Sequence, residues 1–100
     1  MEQVNWKDIE MKYPVGSLLT GTVERHFPFG IFLDIGHPLV KGLVQIIDFL
    51  DEGTMTEELY PSIGTEVKAF VFGYATWNNQ IKLGMKPSQL KQISVHAISY

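Results

Sequence analysis

The sequence predicts an all-β domain, a five-stranded barrel with a short flanking helix at the N-terminus and another at the C-terminus. Its 100 residues are 45% apolar, which suits one compact domain with a modest core. From Gly30 onward side chains alternate, so that Ile31 and Leu33 share one strand face and Phe32 lies on the other. Five β-like runs follow one another between turn residues.

A short helix is predicted in the N-terminal lead-in, residues 1–13. Asn5 can cap it, and Asp8 stands three residues later in a loose capping-box arrangement. The pair Tyr13-Pro14 ends it, because the residue before a proline is disfavoured in the α region.

The first strand is predicted over residues 17–26, where β-branched side chains are frequent. Gly21 within this run suggests a bend or bulge of the kind that a small barrel needs at a corner. The other four strands are predicted at residues 31–35, 42–47, 65–74 and 80–85. Strand parity places Val44 inward and Gln45 on the face that carries Phe32.

Two further segments lie outside the predicted strands, one between the third and the fourth strand and one after the fifth. The acidic connector, residues 48–62, is predicted to hold one or two helical turns around residues 56–60, and it is most often a solvated loop rather than a magnesium site. The tail, residues 88–100, is predicted to form a short helix with Leu90, Ile93 and Ala97 on one side.

Five strands with a long connector between the third and the fourth fit an oligonucleotide-binding (OB) barrel. The ordered motifs Y-P-V-G-S-L-L-T-G-T-V, F-G-I-F-L-D-I-G, K-G-L-V-Q-I, I-G-T-E-V-K-A-F-V-F and Q-I-K-L-G-M-K also resemble the RNA-binding domain repeated in ribosomal small-subunit protein one, the S-one domain. No single motif is specific, but their order and spacing are. The resemblance assigns residues 14–87 to this domain.

The resemblance implies single-stranded RNA as the ligand, with bases stacked on Phe29 and Phe32. Such stacking is tolerant of sequence because every base has a flat face. This chain departs from the family pattern at three polar positions: it has Gln45 where histidine is frequent, Thr76 near a usual acidic residue and Gln80 where a basic one is common. Gln45 and Gln80 remain candidate RNA contacts, because an amide both donates and accepts hydrogen bonds.

The net charge of −3 is unevenly distributed. Five acidic residues lie between residues 48 and 58, whereas residues 15–47 and 59–86 together carry a net charge of +2. Phosphate contacts are therefore assigned to Arg25, Lys41 and Lys82. A field this weak is largely screened at cellular ionic strength, which predicts a shallow salt dependence of binding.

Other interpretations stay open. Phe29 and Phe32 could instead seal the barrel end against the tail helix. Phe70, Phe72 and Trp77, on and after the fourth strand, form a candidate patch for protein interaction or dimerisation on a degenerate S-one barrel, or pack with Tyr74 under a terminal helix. A cold-shock-type barrel, suggested by F-G-I-F, fits the long connector less well.

The sequence lacks the motifs of several functional classes of protein. It has no cysteine and no phosphate-binding glycine loop, G-x-S-x-G or H-E-x-x-H motif, so we expect neither an enzyme nor a cofactor. His26, His37 and His96 show no metal-ligand spacing, so no metal site is expected. No apolar run could span a membrane and Met1 begins a charged rather than greasy segment, which favours a complete cytoplasmic protein. The expected partners are single-stranded RNA and the ribosome or an RNA-processing protein.

Overall fold

The computed structural model describes residues 3–91, and their strands close into one barrel. The barrel order is β1-β2-β3-β5-β4. Neighbouring strands are antiparallel except β3 and β5, which are parallel. The regular elements are α1 (Trp6–Lys12), β1 (Leu18–Phe27), β2 (Gly30–Asp34), β3 (Lys41–Gln45), β4 (Glu66–Ala75) and β5 (Gln80–Gly84). The predicted fold class is confirmed, and the C-terminal helix begins at residues 87–91.

The rest of the predicted tail helix, with Ile93 and Ala97, lies outside the described residues, as does His96. Three short 3-10 turns complete the described part: Ile46–Asp48, Glu57–Leu59 and Thr76–Asn78. The second of them lies where a helical turn was predicted in the connector. Within residues 3–91, no helix is both long and apolar enough to cross a membrane.

The core follows from the period-two alternation of the strands. Ile31 and Leu33 of β2, Val44 of β3 and Ile81 and Leu83 of β5 are fully buried, as the sequence predicts. Burying an aliphatic side chain of this size contributes about 1.5–3 kcal/mol relative to leaving it exposed. Their neighbours in sequence consequently project from the outer surface of the barrel, where Phe32 pairs across the strands with Leu43.

Helix α1 covers one side of this core. The side-chain oxygen of Asn5 accepts the Asp8 N–H at 3.3 Å, which is the cap that the sequence predicts. The Trp6 ring lies 6.0 Å from that of Tyr74, whose hydroxyl donates to the Tyr13 carbonyl at 2.6 Å. Tyr74 therefore packs beneath the N-terminal helix, which was one of the alternatives for the fourth-strand aromatics.

The connector between β3 and β4 is tied to β1. Phe49 and Tyr60 are buried and stack with their centroids 5.4 Å apart. The Tyr60 hydroxyl donates to the Phe27 carbonyl at 2.9 Å, and His26 Nε2 lies 2.7 Å from the Pro61 carbonyl. These contacts fix the connector beside the end of β1 and give His26 a structural role.

Of the bend or bulge predicted at Gly21, the bulge is not found at that residue. Gly21 pairs regularly with Val67 of β4, and the register of β1 against β2 shifts instead between Val23 and Arg25. A Cβ at Gly21 would lie 3.1 Å from the Leu33 Cβ, so the glycine permits a close crossing of β2 rather than a bulge. A second register shift occurs in β4, between Val71 and Gly73.

Candidate nucleic-acid interface

Three phenyl rings form a cluster where β1 turns into β2. Phe27 and Phe29 stack with centroids 5.0 Å apart and planes 13° from parallel. Phe32 stands edge-on to both, at 5.4 Å from Phe27 and 6.2 Å from Phe29. Phe29 is 49% exposed and Phe32 is half-buried on the outer surface, so neither ring enters the barrel interior. We call these three residues the aromatic cluster.

The position of this cluster depends on Gly30. Its φ of +155° lies in a region that side chains other than glycine rarely adopt. A Cβ there would stand 2.3 Å from the Val44 carbonyl oxygen, because β2 begins in close contact with β3. The glycine thus allows Phe29 to precede the strand and Phe32 to follow two residues into it on the same surface.

A groove of about 570 Å³ borders the aromatic cluster. It brings together four of the residues that the sequence predicts to contact RNA: Arg25, Phe32, Lys41 and Gln80. Arg25 is exposed, whereas Lys41 forms an ion pair with Glu24 at 2.9 Å. The positive charge available in this groove is therefore smaller than the count of basic residues suggests.

A second, more enclosed cavity of about 210 Å³ lies among the side chains of β3, β4 and β5; we call it the β3–β5 cavity. Its lining includes the predicted RNA contacts Gln45, Gln80 and Lys82. It also includes Phe72 and Trp77, which the sequence analysis assigned to a separate protein-interaction patch. The two predicted surfaces meet here, and Gln80 borders both the groove and the cavity.

Trp77 and Phe70 differ in their surroundings. Trp77, in the 3-10 turn before β5, is 75% exposed, and the Lys82 ammonium lies 5.9 Å from its ring centroid. Phe70 is half-buried on β4, where it pairs with Leu18 and Gly84, and it lines neither the groove nor the cavity. The structure therefore does not unite Phe70 with Phe72 and Trp77 around one cavity.

Asp48 also lines the β3–β5 cavity, and the sequence analysis did not identify it as a candidate site residue. With a relative exposure of 9%, it is the buried charged side chain of the described chain. Burial raises the pKa of Asp48, and the positive charges of Lys86 and Lys82 act in the opposite direction. In sequence Asp48 looks like the first residue of the solvated acidic connector, so its burial follows only from the 3-10 turn that ends β3.

Phe27 is the second residue that sequence reasoning missed. Its stacking against Phe29 gives the exposed ring a rigid support. The stretch H-F-P-F could have identified Phe27, since it places an aromatic residue on each side of the turn proline.

Residues 3–91 contain no cluster of metal-binding side chains. No group of three or more histidine, aspartate or glutamate side chains is arranged there to hold an ion. His37 serves the loop after β2 instead: its Nδ1 accepts the N–H groups of Leu39 and Val40 at 3.0 and 3.1 Å.

No family model matches the chain. The 4-hydroxy-3-methylbut-2-enyl diphosphate reductase of Clostridium tetani is 38% identical over 81 residues, which are 81% of this chain and 13% of the reductase. The small ribosomal subunit protein bS1 of Chlamydia muridarum is 27% identical over 90 residues, covering 84% of this chain and 15% of that protein. The chain thus spans less than a fifth of these curated relatives, and each likeness concerns one segment of a longer protein.

Solved structures share the barrel. The solution structure of GSP13 from Bacillus subtilis has a TM-score of 0.66 at 22% identity, covering 88% of this chain and 74% of that one. A chain in the crystal structure of the a/eIF2alpha-aDim2p-rRNA complex from Pyrococcus horikoshii has a TM-score of 0.64 at 22% identity, covering 85% and 54%. The closed five-stranded barrel and these likenesses show that the chain has the fold of an OB barrel, and its ordered motifs over residues 14–87 are similar to those of the S-one domain.

Proposed function

We propose that this domain binds single-stranded RNA with little sequence preference, by stacking unpaired bases on Phe29 and Phe32. The observation that carries the proposal is the aromatic cluster: a half-exposed Phe29 ring held against Phe27, with Phe32 beside it at the edge of an open groove. Base stacking on one such ring contributes roughly 1–3 kcal/mol. Because Phe27 already holds Phe29 in place, little side-chain entropy is lost when a base binds.

The backbone of the RNA would follow the groove. Arg25 and Lys41 border it, and Gln80 offers an amide where the groove meets the β3–β5 cavity. Single strands expose both their bases and their phosphates, so a surface with stacking rings and a few cations suits them better than a duplex. With so few cations, stacking rather than phosphate neutralisation supplies most of the affinity.

Two of the similar proteins support a role in translation or RNA metabolism. One relative is a protein of the small ribosomal subunit, and one structural neighbour was solved in a complex that contains ribosomal RNA. We therefore propose the ribosome or an RNA-processing protein as the partner, the cytosol as the location and binding without catalysis as the activity.

Fluorescence anisotropy with a short, labelled and unstructured RNA tests the proposal. Phe29→Ala and Phe32→Ala should each weaken binding by about 1 kcal/mol or more, a fivefold or larger rise in Kd. Phe70→Ala is the matched control, because it removes the same side chain from a site outside the groove and the cavity. Titration curves that coincide for the wild type and both cluster variants, with folding intact, would remove stacking as the binding mode.

Competition with DNA and duplex RNA sharpens the same experiment. A single-stranded DNA of the same sequence should compete less well than RNA if the groove contacts the 2′-hydroxyl, and duplex RNA should compete least because its bases are already stacked. Equal competition by all three would indicate attraction by charge alone.

Protein recognition is the second candidate, favoured by the 75% exposure of Trp77. Exposed aromatic residues are frequent anchors of protein interfaces. In this case Trp77→Ser would abolish self-association or partner binding, whereas RNA binding would persist. Sedimentation of a monomer at all concentrations would exclude dimerisation through this surface.

A further inference from the structure

We infer that the β3–β5 cavity is a guanine-selective base pocket in which the Asp48 carboxylate accepts the Watson–Crick edge of the base. The inference rests on the proposed binding of single-stranded RNA and adds one selective position to an otherwise sequence-tolerant surface. It starts from a side chain that the stacking mechanism does not use.

Asp48 is a buried carboxylate that borders a cavity without being paired across it. No described residue donates a hydrogen bond to its side chain, and the one ion pair found within residues 3–91 joins Lys41 to Glu24. None of the fully enclosed side-chain oxygens of this part of the chain lacks a partner, so the Asp48 oxygens keep some contact with solvent, and the cavity is a space that Asp48 lines. A buried carboxylate in this position is costly unless something donates to it.

The surroundings favour a neutral donor over a metal ion. Lys82 lines the same cavity, and the positive charges of Lys82 and Lys86 act on Asp48. Among the described residues, Asp48 is the only carboxylate that lines the cavity. Divalent cations prefer several oxygen ligands, so one carboxylate among two ammonium groups suits an N–H donor better.

Among the four RNA bases, guanine alone presents two adjacent N–H donors on its Watson–Crick edge, from N1 and the N2 amino group. These match the two oxygens of a carboxylate. Uracil offers a single N–H between two carbonyl oxygens, which a carboxylate repels, and adenine and cytosine each pair one amino group with an acceptor nitrogen. Bidentate hydrogen bonds of this kind discriminate between bases by about 1–3 kcal/mol.

The other walls suit the rest of a guanine. The O6 acceptor needs a donor, which the Lys82 ammonium or the amides of Gln45 and Gln80 can supply. Phe72 and the exposed Trp77 add apolar surface against which the ring can stack.

The size of the cavity points to a single base. At about 210 Å³ it is smaller than the roughly 300–1,000 Å³ of pockets for drug-sized ligands. Gln80 borders both the cavity and the groove, so a strand stacked on the aromatic cluster has a continuous path to it.

The experiment compares a short oligouridine with the same oligomer carrying one central guanosine, inosine or adenosine, by anisotropy. The guanosine oligomer should bind the wild type about tenfold more tightly than oligouridine. Inosine, which lacks the N2 amino group, should gain only part of that factor, and adenosine none. Asp48→Asn should abolish the gain from guanosine, so that this variant binds the guanosine oligomer and oligouridine with equal affinity.

Phe32→Ala provides the matched contrast, because it should weaken both oligomers equally and keep their ratio. Equal binding of all four oligomers by the wild type, or a guanosine preference that persists in Asp48→Asn, would overturn the inference while leaving the proposed function intact.

A second readout applies if oligouridine does not bind at all. Guanosine monophosphate, titrated against the wild type, should shift the NMR signal of the Trp77 indole N–H, whereas adenosine and uridine monophosphates should not. A selective shift without oligouridine binding would contradict the proposed function alone, and the absence of both would contradict the pocket as well.

Discussion

The two sides of β3 present different chemistry on one barrel surface. On the β2 side, the aromatic cluster of Phe27, Phe29 and Phe32 borders an open groove. On the β5 side, the β3–β5 cavity is smaller and more enclosed, and a buried carboxylate lies in its wall. The aromatic cluster offers flat apolar faces, whereas the cavity combines the rings of Phe72 and Trp77 with a carboxylate and amides that can form hydrogen bonds.

This difference separates affinity from selectivity. Stacking depends on the face of a base, which all bases have, whereas hydrogen bonds depend on its edge, which differs between them. We therefore expect substitutions on the β2 side to change binding of all sequences and substitutions in the cavity to change the preference among them.

The largest effect is expected from Gly30→Ala, which should damage both sides at once. Gly30 pairs with Gln45, so a Cβ that would lie 2.3 Å from the Val44 carbonyl pushes β2 away from β3. Backbone strain and steric overlap together should lower the free energy of unfolding by about 2–4 kcal/mol, as measured in urea. RNA affinity and base preference should fall together.

Gly36→Ala is the control for this substitution. Gly36 also has a positive φ, +84°, but a Cβ there meets no atom within 4 Å. Strain alone should cost about 1 kcal/mol and leave RNA binding unchanged. Equal losses of stability in the two variants would show that the close approach of β2 to β3 is unimportant.

The barrel was largely predictable because its strands alternate cleanly between core and surface. Buried Ile31, Leu33 and Val44 carry that signal. The candidate residues Phe29 and Phe32 could also be predicted, since the resemblance assigns their positions around Gly30. Parity of this kind needs only local sequence.

The composition of the cavity could not be predicted in the same way. The register shift between Val71 and Gly73 breaks the alternation of β4, so that Gly73 pairs with Lys82 while Tyr74 turns toward α1. Strict alternation predicts the opposite orientation for Tyr74. The burial of Asp48 likewise depends on long-range packing, which an acidic stretch of sequence does not reveal.

A smaller effect is expected from Asp48→Asn on the stability of the unbound protein. Because burial raises the pKa of Asp48 in the folded state, the charged carboxylate destabilises the fold above that pKa and the cost disappears below the unfolded value. The nearby positive charges of Lys86 and Lys82 reduce this cost without cancelling it. The variant should be more stable at neutral pH by up to about 1 kcal/mol, and the gain should shrink on acidification.

Asp51→Asn should change stability at neutral pH in the opposite direction to Asp48→Asn. The Asp51 carboxylate accepts hydrogen bonds from the Ser88 N–H, at 2.9 Å, and from the Ser88 hydroxyl. These two hydrogen bonds lower the pKa of Asp51. Its contribution is therefore present at neutral pH and is lost as the pH falls through the lowered folded-state value. Thermal melts at several pH values should show opposite trends for the two variants; a neutral-pH loss of stability in Asp48→Asn would assign that carboxylate a structural role.

The smallest effect concerns charge on the β2 side. Glu24→Gln removes the partner of Lys41, an ion pair of half-exposed side chains whose loss should cost the fold less than about 1 kcal/mol. The released ammonium can then contact a phosphate, which should tighten RNA binding about twofold at low salt. Each added phosphate contact steepens the slope of log K against log salt by roughly 0.7 for a single strand.

Glu66→Gln is the control, because it removes the same charge from the exposed start of β4, where Glu66 pairs with Thr22. Its salt slope should match that of the wild type, so the difference between the two variants isolates Lys41 from the general change in net charge. Identical slopes for both would mean that Lys41 does not contact the RNA backbone. Binding on the β2 side would then depend on stacking and on Arg25, and the contrast between the two sides of β3 would become sharper.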